Sequence, residues 1–484
     1  MNPSYVKPAQ ESDDLLRRLT ARFGPPYRCI RADRPILNEL FWAGLYAAEN
    51  SVLHEAWVKD FYQFNHRIYE PIENAEIIHW LTKRMMQAAD EWAEYEHLSA
   101  MGTARNLHGV LTQLQGFVLQ RGAFDSERNF IILENGVLVL EDGRERLEEF
   151  DPAFISRNLI PLRYDPKATC KRFQQELLAP IDKDDQALLQ KVSGMFLSGM
   201  NSLQKILILE GEPDSGKSQL AIVFKETIGK ANCAELRTKQ LDGRFEIGGY
   251  LGKTLLIGAD VSAGFLNESA AYRLKALTGG DLLMAEHKNA NRRMSLAGIF
   301  NILITSNARQ KVNLESDRGA WGRRLLMVHY DQSTRTKSVP NFGQMLVREE
   351  GSGILNWCIE GYHNLQSEVG TNGRLKLTVR QSNRVEQLLD ESDSLRAFLT
   401  RELQTKEEST LTTDEIVSSY SVWCSHRGYS LSIAQIEKEL PDLIFELFGC
   451  RKVNDIERDG KAKRGYRRLA FRPEDDADEP EEWK

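Results

Sequence analysis

The sequence predicts an α/β fold in which a P-loop core sits between an N-terminal mixed helical domain and a C-terminal winged-helix domain. Three observations predict it. A short apolar run of buried-strand type, 205–210, passes straight into Gly211-Glu-Pro-Asp-Ser-Gly216-Lys217-Ser218 and then into a helical pattern over 219–228, the strand, loop, helix order of a Walker A unit. Two more apolar runs, 253–260 and 301–307, each end on a polar residue, Asp260 and Asn307. Residues 410–471 read as helix, helix, helix and a hairpin turning at Asp459-Gly460.

Bulk properties set the frame. A chain of 484 residues is too long for one core, so several domains are expected. With 41% apolar and 27% charged residues it reads as ordinary globular protein. No long apolar run and no basic leader followed by an apolar stretch is found, which predicts a cytoplasmic protein without a membrane contact. The six cysteines, Cys29, Cys170, Cys233, Cys358, Cys424 and Cys450, are scattered without metal-ligand spacing, as reduced structural thiols would be. The net charge of -7 owes part to the acidic run 474–482, so local basic clusters carry more meaning than the sum.

Along the chain, 1–45 has weak periodicity and a Gly24-Pro25-Pro26 turn, and reads as an N-terminal extension. A helical and small-sheet domain follows over 46–168. In it, aromatic residues alternate over 57–69, a helical pattern runs over 75–96, and 130–140 alternates around Asn135-Gly136, a hairpin signal. The P-loop core spans 169–345, entered after Pro161 and Pro166 through a helix at 187–200. A helical connector is expected over 346–405, with the turn 370–373 between its helices, then the winged-helix unit over 406–472 and an acidic tail over 473–484.

The loop 211–218 has a chemical reason for its composition. Gly211 and Gly216 let the backbone N-H groups of Glu212, Pro213's neighbours, Asp214, Ser215 and Gln219 fold around phosphate oxygens, beside the positive end of a helix. Lys217 would reach the β- and γ-phosphates and the Ser218 hydroxyl would ligate Mg²⁺. A plain glycine turn before a helix is the alternative, which the flanking elements weigh against. Asp260 is the acid that Mg²⁺ and an attacking water need, and Asn307 can orient that water. Between them, 274–293 reads as two extended pieces around a basic tip with Lys288, Arg292 and Arg293, suited either to phosphate contacts or to a solvated turn. Arg324, with Arg323 as second choice, could enter a neighbour's site and neutralise a transferring phosphoryl group, or else pair with Asp317.

These parts together resemble the C-terminal helicase half of phage and plasmid primase-helicases, a superfamily 3 branch of the AAA+ proteins. The likeness runs over 57–471. It rests on Phe61-Tyr-Gln-Phe-Asn with Tyr69-Glu-Pro, on Asn135-Gly-Val-Leu and Tyr164-Asp-Pro, and on Leu274-Lys-Ala-Leu-Thr-Gly-Gly-Asp281 with Lys288. Ile304-Thr-Ser-Asn307 and Gly353-Ile-Leu-Asn-Trp357 with Glu360-Gly361 complete it. The resemblance implies an ATP- and Mg²⁺-dependent homo-hexamer that threads single-stranded and forked DNA. It makes Lys217 and Ser218 nucleotide and metal ligands, Asn307 a sensor, Lys288 a DNA contact and Arg324 the arginine finger. Two departures stand out: the second strand supplies only Asp260, with Glu268 poorly spaced to substitute, and no primase is evident, so a separately encoded primase is expected as partner.

In the C-terminal unit the hairpin carries Arg458, Lys461, Lys463, Arg464, Arg467 and Arg468, a wing able to grip duplex DNA or, alternatively, a solvated wing of a protein-docking module. Two other functions compete with the helicase: an AAA+ initiator or switch that hydrolyses ATP without unwinding, and a structural DNA-binding protein with an inactive loop.

Overall fold

Four apolar runs and one short edge strand form a parallel sheet at the centre of the chain: β1 (Ile206–Gly211), β2 (Cys233–Glu235), β3 (Leu255–Gly258), β4 (Asn301–Ser306) and β5 (Leu325–Tyr330). The computed structural model describes residues 9–473 apart from 30–34, 142, 242, 244, 263–264, 268–271, 287–292, 311, 313–317, 331–338 and 428–432. The strand order is β2-β3-β4-β1-β5, every pair parallel. The protein is thus a mixed α/β structure with a parallel sheet at its heart. Both faces of β1 are covered, which is why it reads as an unbroken apolar run. Leu207 and Leu209 pack towards α1 (Lys183–Ser198), α2 (Lys217–Ile228) and α3 (Phe342–Asn372). Ile206 and Ile208 pack on the other side, with Val385, Leu388 and Leu389 of α4 (Val379–Ser392).

The close packing of α3 explains three glycines, two where it crosses α1 and one where it meets residues 169–170. A Cβ at Gly194 would stand 2.2 Å from Tyr362 N, one at Gly361 would stand 1.9 Å from Gln190 O, and one at Gly353 would stand 2.2 Å from the Thr169 carbonyl. All three obstacles are backbone, which cannot swing aside as a side chain can. Gly361→Ala is therefore expected to destabilise the fold by about 3 kcal/mol or more, at the upper end of the overpacking range, read as a lowered midpoint in urea. A midpoint equal to that of the parent chain would refute this packing.

Burial redraws the expected boundaries. The described residues of the expected extension 1–45 are packed into the domain that follows. Helices Ala9–Phe23 and Glu39–Glu49 place Leu19, Phe41 and Trp42 in one core with Ile77, Leu81 and Met85 of helix Asn74–Glu91 and Leu107 and Val110 of helix Ala104–Phe117. The boundary at 45/46 would cut a helix that buries Phe41, Trp42, Leu45 and Tyr46. The sheet formed by Phe130–Leu133, Gly136–Glu141 and Arg144–Glu148 joins the central core rather than the N-terminal one. Ile131, Leu133, Leu138 and Leu140 of one face pack with α1 and α3, while Ile132, Val137 and Val139 of the other face cover a small satellite cluster.

The helical connector at 346–405 does not exist as a unit. Its residues divide among three places because each helix buries its apolar face against a different partner: α3 and α4 on opposite faces of the central sheet, and α5 (Ser394–Glu402) in the C-terminal core. Among the described residues of 410–471 the helices are α6 (Thr413–Arg427) and α7 (Ile433–Phe448), and the third helix of that unit is α5, ahead of a strand, Leu403–Thr412. This strand, Lys452–Arg458 and Lys461–Phe471 form a three-stranded sheet with the last strand in the middle. No helix among the described residues is long and apolar enough to cross a membrane.

Candidate nucleotide site

The sheet order makes a crevice beside β1. The chain leaves β1 for the far edge, returns through β3 and β4, and then passes over β1 to β5. Ligands of open α/β sheets bind at such a reversal, outside the carboxyl ends of the strands. The loop 211–218 lies there. Gly211 has φ 150°, and a Cβ on it would meet Tyr330 O at 2.5 Å; Gly216, the residue before α2, has φ 98°. Both positions need glycine, one for close approach to β5 and one for the left-handed entry into the helix.

Lys217 is 3% exposed, and its Nζ donates to Gly211 O at 2.8 Å, Glu212 O at 2.6 Å and Ser215 Oγ at 2.9 Å. The ammonium lies folded into its own loop. Burial pushes the Lys217 pKa down, while the carboxylates of Asp260, Asp214 and Glu210 act to hold it up. A triphosphate offers the same lysine anionic oxygens in place of neutral carbonyls. Ser218 is exposed at the first turn of α2. The Gln219 side chain is anchored to α3, its Oε1 accepting from Gly343 N at 2.9 Å.

Asp260 and Asn307 meet at the edges of β3 and β4. Asp260 N donates to Thr305 Oγ1 at 2.9 Å, and Asn307 Nδ2 donates to Asp260 Oδ1 at 2.5 Å. Both side chains are exposed, and Asp260 has φ 51°, a left-handed backbone that Asp tolerates better than most residues. Lys217 feels the Asp260 charge, so strands far apart in sequence bring lysine, carboxylate and amide to one crevice. Behind the loop stands Glu210, which sequence reasoning passed over. It is 5% exposed, its Oε2 has no hydrogen-bond partner, and burial pushes its pKa up. The signal was there: an acid closing an apolar strand is out of pattern.

At the opposite edge of the sheet, Arg324 is only 5% exposed, with Nη1 bound to Ala320 O at 3.1 Å. Arg324 is thus enclosed by its own chain, whereas Arg323 beside it is exposed. Lys205 lies beside them, its Nζ donating to Arg323 O at 2.5 Å. Burial pushes the Lys205 pKa down and the charges of Arg323, Arg324 and Arg374 push it further. Lys205 and Arg374 were not legible as members of this cation cluster because only the fold assembles it. Asp317 lies outside the described residues.

The residues expected to contact DNA are described in part. Lys288 and Arg292 lie outside the described residues, as does Glu268. Arg293 begins the second strand of the hairpin, opposite Glu286 and 3.6 Å from its carboxylate. The extended reading from 274 onward is corrected: Tyr272–Thr278 is a helix, and the hairpin strands are Leu282–Glu286 and Arg293–Ala297. Ser295 N donates to Trp57 O at 3.1 Å, and Val58 is buried in the same core, so a turn of the N-terminal domain braces the hairpin. In the C-terminal hairpin, the strand pairing Arg458 with Lys461 turns at Asp459-Gly460. Its cations largely face acids: Arg458 with Glu415 at 2.9 Å, Lys463 with Asp414 at 3.8 Å, Arg467 with Asp455 at 2.6 Å and Arg468 with Glu407 at 2.7 Å. Lys461 and Arg464 are exposed at the same turn. Such surface pairs are weak.

Residues 39–178 match the D5 N terminal like family. Residues 209–324, which include the phosphate loop, Asp260, Asn307 and Arg323, match a family of unknown function (DUF5906). No curated protein matches the chain. Among solved structures, the A form apo structure of the NrS-1 C terminal region is similar at 13% identity with TM-score 0.46, over 89% of this chain and 99% of that one. The apo structure of NrS-1 C terminal region (305-718) is similar at 12% identity with TM-score 0.45, over 88% and 98%.

Proposed function

We propose that this chain is an ATP-driven DNA helicase of superfamily 3 type, a replication protein of a phage, plasmid or other mobile element that works as a ring of identical subunits. The observation that carries the reading is the convergence of Lys217, Asp260 and Asn307 at the carboxyl edge of a parallel sheet, beside a glycine loop that opens a helix. The match of 39–178 to the D5 N terminal like family and the likeness to primase-helicases in motif order support the same reading. In this reading 205–330 is the AAA+ core and 394–472 the winged-helix domain.

The residues fit a magnesium nucleotide: an exposed hydroxyl at Ser218, an exposed carboxylate at Asp260 and a lysine already surrounded by acceptors. Bound Mg²⁺ neutralises phosphate charge and orients the triphosphate. Lys217 exchanges its loop carbonyls for phosphate oxygens. Asn307 orients the Asp260 carboxylate and, with it, the water that attacks in line. Arg323 of one subunit approaches the triphosphate held by the next and offsets the charge that develops on the transferring group. The braced hairpin then moves along single-stranded DNA, and the wing grips duplex backbone through Lys461 and Arg464.

The deciding experiment supplies purified protein with ATP, Mg²⁺ and a forked duplex bearing either a 3′ or a 5′ tail. Phosphate release together with strand displacement from one tail polarity is the expected result. Phosphate release stimulated by DNA without displacement would favour the second reading, an AAA+ initiator or switch, which the single acid at the end of β3 favours over a fast motor. No phosphate release would leave only a structural DNA-binding role.

A further inference from the structure

A cavity of about 150 Å³ lies behind the phosphate loop, lined by Glu210, Arg309, Met327, Val328, His329, Arg384 and Gln387. Two acids compete there for one guanidinium. Arg309 Nε is ion-paired with Glu391 of α4, whose side chain is 17% exposed. Arg309 is also the cation that acts most strongly on Glu210, while the Glu391 charge opposes Glu210 and Lys217 favours it. Burial pushes both carboxyl pKa values up, as it does where charge is incompletely compensated. One end of this group is the residue before Gly211. The other is the last turn of the helix that leads into the C-terminal unit.

We propose that Arg309 is a positioning residue that reports the state of the phosphate loop to the C-terminal unit by dividing itself between Glu210 and Glu391; the idea rests on the loop binding a triphosphate. Lys217 is the second cation in the field of Glu210, and it is held by loop carbonyls. When phosphates draw Lys217 away, Glu210 depends on Arg309 alone among the cations that act on it. The guanidinium then shifts from Glu391 towards Glu210. Glu391, half-buried and left to the Gln387 side chain, loosens the end of α4.

The joints to be loosened are few. Ser392 Oγ accepts from Val312 N at 2.9 Å, and Arg318 reaches Glu386 at 2.5 Å and Asp390 at 2.8 Å. Asp390 is shared with Arg401 of α5, and Asp393 caps α5 by accepting from Arg396 N at 3.3 Å. A change at Glu391 therefore lies one residue from the Ser392 tie and two from the cap of the C-terminal unit. This is the kind of two-state element through which a coupling claim can be tested.

The test is amide hydrogen exchange over 386–402 in the full chain, with and without a non-hydrolysable ATP analogue and Mg²⁺. In the parent chain the analogue is expected to speed exchange of this segment at least threefold. R309Q should exchange fast without nucleotide and show no further change, while its affinity for the analogue stays within threefold of the parent. E391Q provides the check should R309Q fold poorly: it keeps Arg309 but removes the competitor, and its exchange should no longer respond to nucleotide. A full response retained in either variant overturns the proposal. If the parent chain binds the analogue without any change over 386–402, this inference alone fails. If the parent chain does not bind the analogue, the ATP reading fails and takes this one with it.

Discussion

Lys217→Ala is expected to lower DNA-stimulated phosphate release at least about 100-fold, a loss of about 2.7 kcal/mol of transition-state stabilisation. The ammonium is the only cation that the phosphate loop itself contributes, and a low-dielectric crevice makes its charge count for more than it would in water. Lys217→Arg should fail almost as badly, since a planar guanidinium cannot turn from Gly211 O and Glu212 O towards phosphate in the space of a buried ammonium. Truncation also leaves those carbonyls and Ser215 Oγ without their donor. A thermal melt separates this cost from the chemical one: a modestly lowered midpoint with hydrolysis abolished is the expected pair of results. Hydrolysis retained above a tenth of the parent rate would mean that the loop does not hold the reacting phosphate.

What the sequence made legible is what short-range chemistry dictates. The Asp459-Gly460 turn has φ 53° and 72°, the pair of left-handed residues that a two-residue hairpin demands. The Asn135-Gly136 signal marks the other hairpin one residue off, since Leu133 pairs with Gly136 and the turn falls on Glu134-Asn135. The phosphate loop was legible for the same reason, since Gly211 and Gly216 answer to local backbone geometry. Domain limits were not, because they depend on which apolar face meets which. Helix 379–392 and helix 394–402 look like one periodic stretch, yet Leu388 belongs to the central core and Phe398 to the C-terminal one. The strand Leu403–Thr412 escaped notice because its middle, Lys406 to Glu408, is polar and exposed and its pairing is interrupted between Thr405 and Thr410. Adjacent residues can also differ in ways that composition hides: Arg323 faces solvent while Arg324 is enclosed, and nothing in an Arg-Arg pair says which.

That difference yields the second large effect. Arg323→Ala is expected to reduce the turnover number by about 1,000-fold, the lower end of what an arginine finger supplies. As an exposed residue, it should leave stability within about 0.5 kcal/mol of the parent. Arg324→Ala is expected to behave the other way, losing stability through emptied packing and an abandoned bond to Ala320 O, with turnover falling only as folded protein is lost. A mixing experiment then tells whether Arg323 acts on a neighbour. Neither Lys217→Ala nor Arg323→Ala rings hold one complete site, but each variant keeps what the other lacks. In randomly mixed rings of equal parts, about a quarter of the head-to-tail interfaces join an intact lysine loop to an intact Arg323. Recovery of hydrolysis on mixing would therefore require both that subunits form a ring and that the arginine works across its interface. Two inactive proteins that stay inactive together, while each remains folded and assembled, would confine Arg323 to its own subunit and remove the basis for a shared site.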